Sequence, residues 1–412
     1  HTCFLNSLLQ ALAACPIFIR WLRKQYEANR NVNFISTSLS VFEKINGYTD
    51  DLYSDVTPTE IISSLGSQWK FASGYQDVHE LFHVVLSALQ TEIQHGNRKS
   101  CLTDALPSNY QKFDVSCNDT VSANKSRNIQ NDFDGNCNNY IETPMTFLYS
   151  DEYRRLGTIL DKSLERFSKN VIEEEKVSFK PCYSCSFPIP ATPPISIVVH
   201  PFSGLLTSQL QCSCCKWKSA VRYDKLEIVS LPLPPLGLHT KSYLTLEELL
   251  THFVTTEIVQ NILCNGCGMY CFATKTITLG KLPKCLCLHI SRTTWSSSGI
   301  IKRNDPVKFP EVLTLDPYTF LGSKKRNAQD DPKATKSLSN QTTNKQDKHK
   351  YQLRAIVEHR GPVDSGHFIC YRQGNEASQW LYTSDNVVKS ISLIEVLHAK
   401  PYLLFYERIN SK

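Results

Sequence analysis

Two pairs of cysteines constrain the fold of this chain more than any other feature of its sequence. Cys212 and Cys215, in Cys212-Ser213-Cys214-Cys215, and Cys264 and Cys267, in Cys264-Asn265-Gly266-Cys267, are C-x-x-C pairs with residues 216–263 between them. A C-x-x-C turn delivers two thiolates from one tight loop, and a structural zinc takes four of them tetrahedrally. The spacer is longer than in a compact zinc ribbon, so one shared ion would have to pin the tips of two β-hairpins that are distant in sequence. All four positions would be sulfur, with none open for water, so the ion would hold a fold and do no chemistry. Cys214 is an alternative register within the first pair. A third pair, Cys182 and Cys185, falls in a proline-rich break and reads as a metal-free loop, with a half-site completed by another chain as the other reading. Cys271, Cys285, Cys287 and Cys370 sit in apolar, strand-like runs and read as core.

The rest of the chain is ordinary enough to carry such a scaffold. Its 412 residues, 41% hydrophobic and 20% charged, suffice for two or three domain-sized units with a sizeable core. The 16 cysteines include pairs beside basic residues, which suits reduced, metal-binding thiols better than a disulfide framework. No run of 18 apolar residues occurs. With neither an initiator Met nor a signal-like start, the sequence reads as a fragment of something longer. Most of the net charge of +6 comes from 322–350, where Lys324, Lys325, Arg326, Lys333, Lys336, Lys345, Lys348 and Lys350 meet only Asp330, Asp331 and Asp347. That polar stretch reads as a disordered insertion, and 101–145 as a polar insertion without a core of its own. No aromatic side chain is interleaved to stack bases, so a solvated loop is the reading and nucleic acid is not an expected partner.

Helical spacing dominates the first half and alternation the second. Leu5, Leu8, Leu9 and Leu12 form an apolar stripe, and Pro16 suits the first turn of a second helix. Val78, Leu81, Phe82, Val85, Leu86, Leu89 and Ile93 mark the strongest helix, with Asp77 and Glu80 in its first turn. Strand-like runs follow from Ile195 onward, interrupted by a helix from Leu246 with Thr245 and Glu248 as a capping box. Cys3 stands at the start of the opening helix, where free backbone N–H groups and the positive dipole end favour a thiolate. Alone, it also fits a buried cysteine acting as a small hydrophobe. Near the other end, 351–359, 367–372 and 379–383 read as three antiparallel strands. That meander brings His367 beside Ser384 and Asp385, as a cysteine–histidine nucleophile pair with a third, orienting group requires.

Taken in order, these motifs resemble the ubiquitin-specific proteases. Thr2-Cys3-Phe4-Leu5-Asn6-Ser7-Leu8-Leu9-Gln10 is similar to the family's cysteine box, and Ser365-Gly366-His367-Phe368-Ile369-Cys370-Tyr371 to its histidine box. Leu282 to His289 and Tyr402 to Tyr406 look like its palm strands. The resemblance implies an α+β, papain-like cysteine protease fold of thumb, palm and fingers. It implies a helical thumb over 1–180, zinc-pinned fingers over 195–280 and a β-rich palm over 281–412. It also implies a thiol isopeptidase that cuts after the C-terminal Gly-Gly of ubiquitin. Cys3 would be the nucleophile, His367 the base, Ser384 the third catalytic residue and Asp385 a supporting one. Gln76 and Asp77 would meet the ubiquitin tail, with helix capping as the other reading of Asp77. Cys212, Cys215, Cys264 and Cys267 would hold zinc.

Trp295-Ser296-Ser297, Glu80-Leu81-Phe82-His83 and the serine at 384 further resemble the branch of the family at the mitochondrial outer membrane, which acts in mitophagy. That branch is cytosol-facing, and its membrane anchor would lie in a segment absent from this sequence. His1 replaces the family's usual Asn, and the family's oxyanion-donating Asn would lie upstream of His1. Two rival classes stay open at this stage. One is a ubiquitin-binding pseudoenzyme, and the other is a zinc-ribbon nucleic-acid binder.

Overall fold

The opening apolar stripe forms helix α1 (Cys3–Ala13) in the computed structural model, with Leu5, Leu8 and Leu12 fully buried. The structure describes residues 2–48, 58–65, 77–96, 199–235, 243–296, 299–323, 349–363, 365–376 and 378–409. All of them belong to one unit made of His1–Asn97 and Thr192–Lys412. Gln76, Cys182, Cys185, the segment 101–145 and residues 324–348 of the expected basic insertion lie outside the described residues.

After α1 come α2 (Pro16–Ala28), α3 (Asn33–Ile45), α4 (Thr59–Leu65) and α5 (Val78–Gly96). Pro16 occupies the first turn of α2, where its missing N–H costs nothing. The residues before α2 and α3, Cys15 and Val32, offer no side-chain cap. Distant carboxylates supply one instead. Glu92 of α5 accepts from the backbone N–H groups of Phe34 and Ile35, both at 2.8 Å, and Glu407 accepts from Ile17 N–H at 2.6 Å. Among the described residues no single helix is long and apolar enough to cross a membrane.

The strands divide between two main sheets and two short ladders, in which β4 (Leu244–Thr245) pairs with β10 (Val307–Lys308) and β8 (Thr293–Ser296) with β9 (Gly299–Lys302). β1 (Gly204–Cys212), β2 (Arg222–Leu226), β5 (Glu257–Leu263) and β6 (Tyr270–Lys281) form an antiparallel sheet in the order β2-β1-β6-β5. The eight-stranded sheet uses β3 (Val229–Pro232), β7 (Cys285–Ser291), β12 (Lys350–Arg360), β13 (His367–Gln373), β14 (Trp380–Ser384), β15 (Val387–Ile391) and β16 (Leu403–Arg408) in the order β15-β14-β13-β12-β16-β7-β3. β11 (Val312–Thr314) joins it by pairing with β12. The first described strand begins at Gly204, just after a turn at Pro201, whose carbonyl accepts from the Lys284 and Cys285 N–H groups. Ile195, from which strand-like runs are expected, lies outside the described residues. The stretch 195–280 also does more than make hairpins. β3 leaves the small sheet and pairs in parallel with β7, and the capped helix Leu246–Phe253 packs under the large sheet.

The central strands β7, β16, β12 and β13 of the large sheet are buried on both faces, and their alternation sorts residues between two cores. Cys285, Cys287, Phe368, Cys370, Leu403 and Phe405 face α1 to α5, whereas Leu286, Leu288, Ile369, Tyr371, Leu404 and Tyr406 face the helix Leu246–Phe253. On β12 the parity flips. Tyr351 and Leu353 face the second core, but Ala355 and Val357 face the first. The β12–β16 register shifts between Leu353 and Ala355, a bulge that turns the strand over by one residue. Arg354 at this bulge bonds Glu407 at 3.1 Å and also donates to Gln373.

A buried guanidinium fastens the helices to the sheet. Arg372 of β13, 3% exposed, donates to Gln10 Oε1 of α1 at 3.1 Å and to Asn46 Oδ1 just beyond α3. Asn46 donates in turn to Ala13 O at 3.0 Å. Arg372→Ala therefore strips the buried Asn46 amide and the half-buried Gln10 amide of their donor and leaves a void, and is expected to destabilise the fold by about 3 kcal/mol. Denaturant unfolding should show this as a lower midpoint, and an unchanged midpoint would refute the clamp.

Candidate active site and thiol knuckles

Cys3, Asn6 and Gln10 lie at i, i+3 and i+7 on α1, so they share one stripe of the helix. That stripe meets the sheet at two points. Gln10 accepts from Arg372, and Asn6 Nδ2 donates to Asp385 Oδ1 at 2.8 Å. Cys3, half-buried, is the first residue of α1, and Thr2 before it makes no side-chain cap. The first N–H groups of an α-helix have no acceptor within the helix, and their dipole end favours a negative charge.

The histidine enters from the neighbouring strand. β13 begins at His367 and β14 ends at Ser384, and His367 Nε2 lies 2.9 Å from Ser384 Oγ. Asp385 Oδ2 stands further off, 4.0 Å from the same nitrogen. The β14–β15 hairpin explains the difference. Ser384 pairs with Val387, so Asp385 and Asn386 make a two-residue turn, with Asp385 at φ +48°. The turn points the carboxylate toward Asn6 and leaves the serine for the ring. The meander expected for this region forms, and it brings His367, Ser384 and Asp385 together. The Asn6–Asp385 bridge then carries α1, with Cys3 one turn away, to the same place.

Gly366 controls how the chain reaches His367. A Cβ there would come within 2.0 Å of His359 Nε2 and 2.5 Å of Arg360 O, and the latter is backbone that cannot swing aside. The preceding loop is tied down by Lys302, whose Nζ donates to His359 O at 3.0 Å and Gly361 O at 2.7 Å.

Asp77 caps α5: its Oδ1 accepts from His79 N–H at 2.8 Å and its backbone carbonyl from Leu81 N–H at 3.0 Å. Its other oxygen accepts from Tyr402 O–H at 2.7 Å, across the seam to the large sheet. The Tyr402 ring lies against Phe368, next in sequence to His367, with centroids 5.7 Å apart. Capping was legible in the sequence, whereas the bond to Tyr402 joins residues far apart in sequence and could be seen only in the fold. Asn6, Gln10 and Arg372 had no assigned part either. The i, i+3, i+7 spacing on α1 was the available signal for the first two.

The two cysteine pairs meet at one end of the small sheet. The Sγ atoms of Cys212, Cys215, Cys264 and Cys267 lie within 4.8 Å of one another, close to the S···S spacing of about 3.8 Å that a tetrahedral thiolate site needs. Both turns share a geometry. The residue after each second cysteine is left-handed, Lys216 at φ +62° and Gly268 at φ +68°, and Gly266 N–H donates to Cys264 Sγ at 3.3 Å. Lys216 takes this conformation at a cost of about 1–2 kcal/mol that a glycine would not pay. Hydrogen bonds from the Cys215 backbone and from the Cys271 thiol pull the Cys212 thiol down to about 6, which favours its thiolate form. These four residues therefore fit a metal ion. Of the cysteines read as core, Cys285, Cys287 and Cys370 are fully buried in the first core. Cys271 is buried too, but against Cys212, at 3.2 Å between sulfurs, because both close the same end of the β1–β6 pair.

Residues 1–190 and 188–406 match the model of a family described as ubiquitin carboxyl-terminal hydrolase. The chain is 28% identical over 501 residues to ubiquitin carboxyl-terminal hydrolase 30 of Rattus norvegicus, covering 100% of this chain and 83% of the relative. It is 29% identical over 497 residues to the Homo sapiens protein of the same name, again covering 100% and 83%. Among solved structures, the SAGA DUB module of Ubp8, Sgf11, Sus1 and Sgf73 bound to monoubiquitin superposes with a TM-score of 0.60 at 21% identity. That match covers 100% of this chain and 68% of the other. The yeast module gives a TM-score of 0.59 at 21% identity, covering 100% and 67%. These structures share the fold.

Gly366→Ala should destabilise the protein by about 1–3 kcal/mol through overpacking against Arg360 O. Thermal unfolding of the variant checks this, and an unaltered transition would refute the close approach.

Proposed function

The chain belongs to the ubiquitin carboxyl-terminal hydrolase family of cysteine-type deubiquitinases, and from that premise we propose that Cys3, His367 and Ser384 carry its hydrolysis of ubiquitin conjugates. The observation that carries this reading is the His367–Ser384 bond of 2.9 Å, held beside the start of α1 by Asn6 and Asp385. Ser384 Oγ accepts the proton on His367 Nε2, which leaves Nδ1 as the base. Nδ1 takes the Cys3 proton, and the Cys3 sulfur attacks the carbonyl that follows the ubiquitin Gly-Gly. Backbone N–H groups at the start of α1 donate to the oxyanion of the tetrahedral intermediate. As the C–N bond breaks, His367 returns the proton to the lysine amine. Water, deprotonated by the same ring, then hydrolyses the thioester and frees Cys3.

In this reading the helices within 1–180 act as thumb, the small sheet within 195–280 as fingers and 281–412 as palm. Asp77 caps α5 and, with Gln76, lines the path of the ubiquitin tail. Cys212, Cys215, Cys264 and Cys267 hold a structural zinc, and the ion would supply a cross-link between two hairpins. The working place of the protein in this reading is the mitochondrial outer membrane, on its cytosolic side, supported by the resemblance of Glu80-Leu81-Phe82-His83 and Ser384 to the outer-membrane branch of the family. A tagged full-length protein that fractionates away from mitochondria would overturn this placement.

A ubiquitin with a C-terminal electrophile should form a covalent adduct with the wild-type chain and none with Cys3→Ala. Binding without an adduct would defeat the catalytic assignment. Ser384→Ala is expected to lower kcat/KM at least tenfold and Asp385→Ala by less, and the opposite order would move the third role to Asp385.

A further inference from the structure

The tip of the small sheet carries more thiols than one tetrahedral ion uses. Cys212, Cys214 and Cys271 form a second set whose Sγ atoms also lie within 4.8 Å of one another. The sheet register sets this up. Cys212 pairs with Ala273 across β1–β6, so Cys271 lies two residues closer to the tip on the same face as Ala273. Cys214 reaches the set from the knuckle turn. Cys212 and Cys271 are buried and Cys214 is exposed. Cys212 is common to both sets.

We propose that the fingers hold two thiophilic metal ions, the second bound by Cys212, Cys214 and Cys271 and joined to the first through the shared Cys212 sulfur. This rests on the reading that Cys212, Cys215, Cys264 and Cys267 hold the first ion. A thiolate bound to one ion keeps lone pairs for another, so Cys212 can bridge without leaving the first site. An all-sulfur set selects soft ions such as Zn²⁺, Cd²⁺ or Cu⁺ over Mg²⁺ or Ca²⁺. The sulfur spacings of both sets are within reach of metal–sulfur bonds of about 2.3 Å after small side-chain rotations. Six thiolates and two divalent ions carry the same net charge as four thiolates and one ion, so the second ion adds no charge to the tip. The exposed Lys216 and Lys218 stand beside it. The second site has three sulfurs, one of them exposed, and a fourth position open to solvent. It is therefore the weaker and more exchangeable of the two, and the first is the closed structural one.

The test is native mass spectrometry of the reduced full chain, loaded anaerobically with Cd²⁺ and desalted, together with ¹¹³Cd NMR. The wild type should carry two ions per chain, with two cadmium signals coupled through one sulfur. Cys214→Ser and Cys271→Ser should each carry one ion, and Cys214 is exposed, so its loss leaves folding intact. One ion in the wild type, unchanged in both variants, would overturn the second site and leave the first standing. No bound ion would overturn both. A single ion that survives Cys264→Ser but is lost in Cys271→Ser would overturn the shared arrangement and move the metal to the second set.

Discussion

Everything about the proposed active site depends on how α1 is held against the large sheet. The helix carries Cys3 at its first residue, and its polar stripe continues through Asn6 and Gln10. Both amides are used: Asn6 donates to Asp385 and Gln10 accepts from the buried Arg372. Burying a guanidinium is expensive unless its donors are matched, and here they are matched by groups on α1 and beyond α3. The polar contacts thus fix which way α1 faces, a choice that the apolar contacts of Leu5, Leu8 and Leu12 leave looser. A hydrophobic seam tolerates small rotations and hydrogen-bonded amides do not. The proposed attack by Cys3 beside His367 calls for the second kind of seam.

The orienting group on that ring is a neutral hydroxyl, and this has an energetic consequence. A serine can accept the Nε2 proton and choose the tautomer as well as a carboxylate does. It would give little support to the imidazolium that the proposed proton transfer from Cys3 creates. Asp385 is close enough to add charge, at 4.0 Å, but both partners are more than a third exposed, so solvent holds that contribution to at most about 1 kcal/mol. Its nearer oxygen contact is Asn6. Asp385 therefore does more to position the helix than to charge the site.

The small sheet solves a different problem. Its tip buries only Cys212, Cys264 and Cys271, with Cys267 packed against them, and leaves Tyr270, Phe272 and Leu263 exposed. So small an apolar cluster contributes little by itself. Thiolate–metal bonds can replace a core there, since a structural ion ties two turns that hydrophobic area cannot. The two knuckles were legible because C-x-x-C has few other uses in a reduced chain. The place of Cys271 was not, because an alternating apolar strand looks the same whether its inward residue meets leucine or sulfur.

Sequence alone determined many of the elements, though not α3 or α4, and the local chemistry that needs only near neighbours. Among these are the apolar stripes of α1 and α5, the capping box at Thr245 and Glu248, the knuckle turns, and the three strands that carry His367 toward Ser384. Each is governed by periodicity or by contacts within a few residues. Tertiary structure alone decided the rest. Glu92 caps α3 from α5 and Glu407 caps α2 from β16, though neither helix start shows a local cap. The bulge at Arg354 flips β12 between two cores, and a hairpin turn gives Ser384 and not Asp385 to the ring. These outcomes were hidden because hydrogen-bond partners chosen across hundreds of residues leave no periodic trace. A one-residue change of register is likewise invisible until the partner strand is in place.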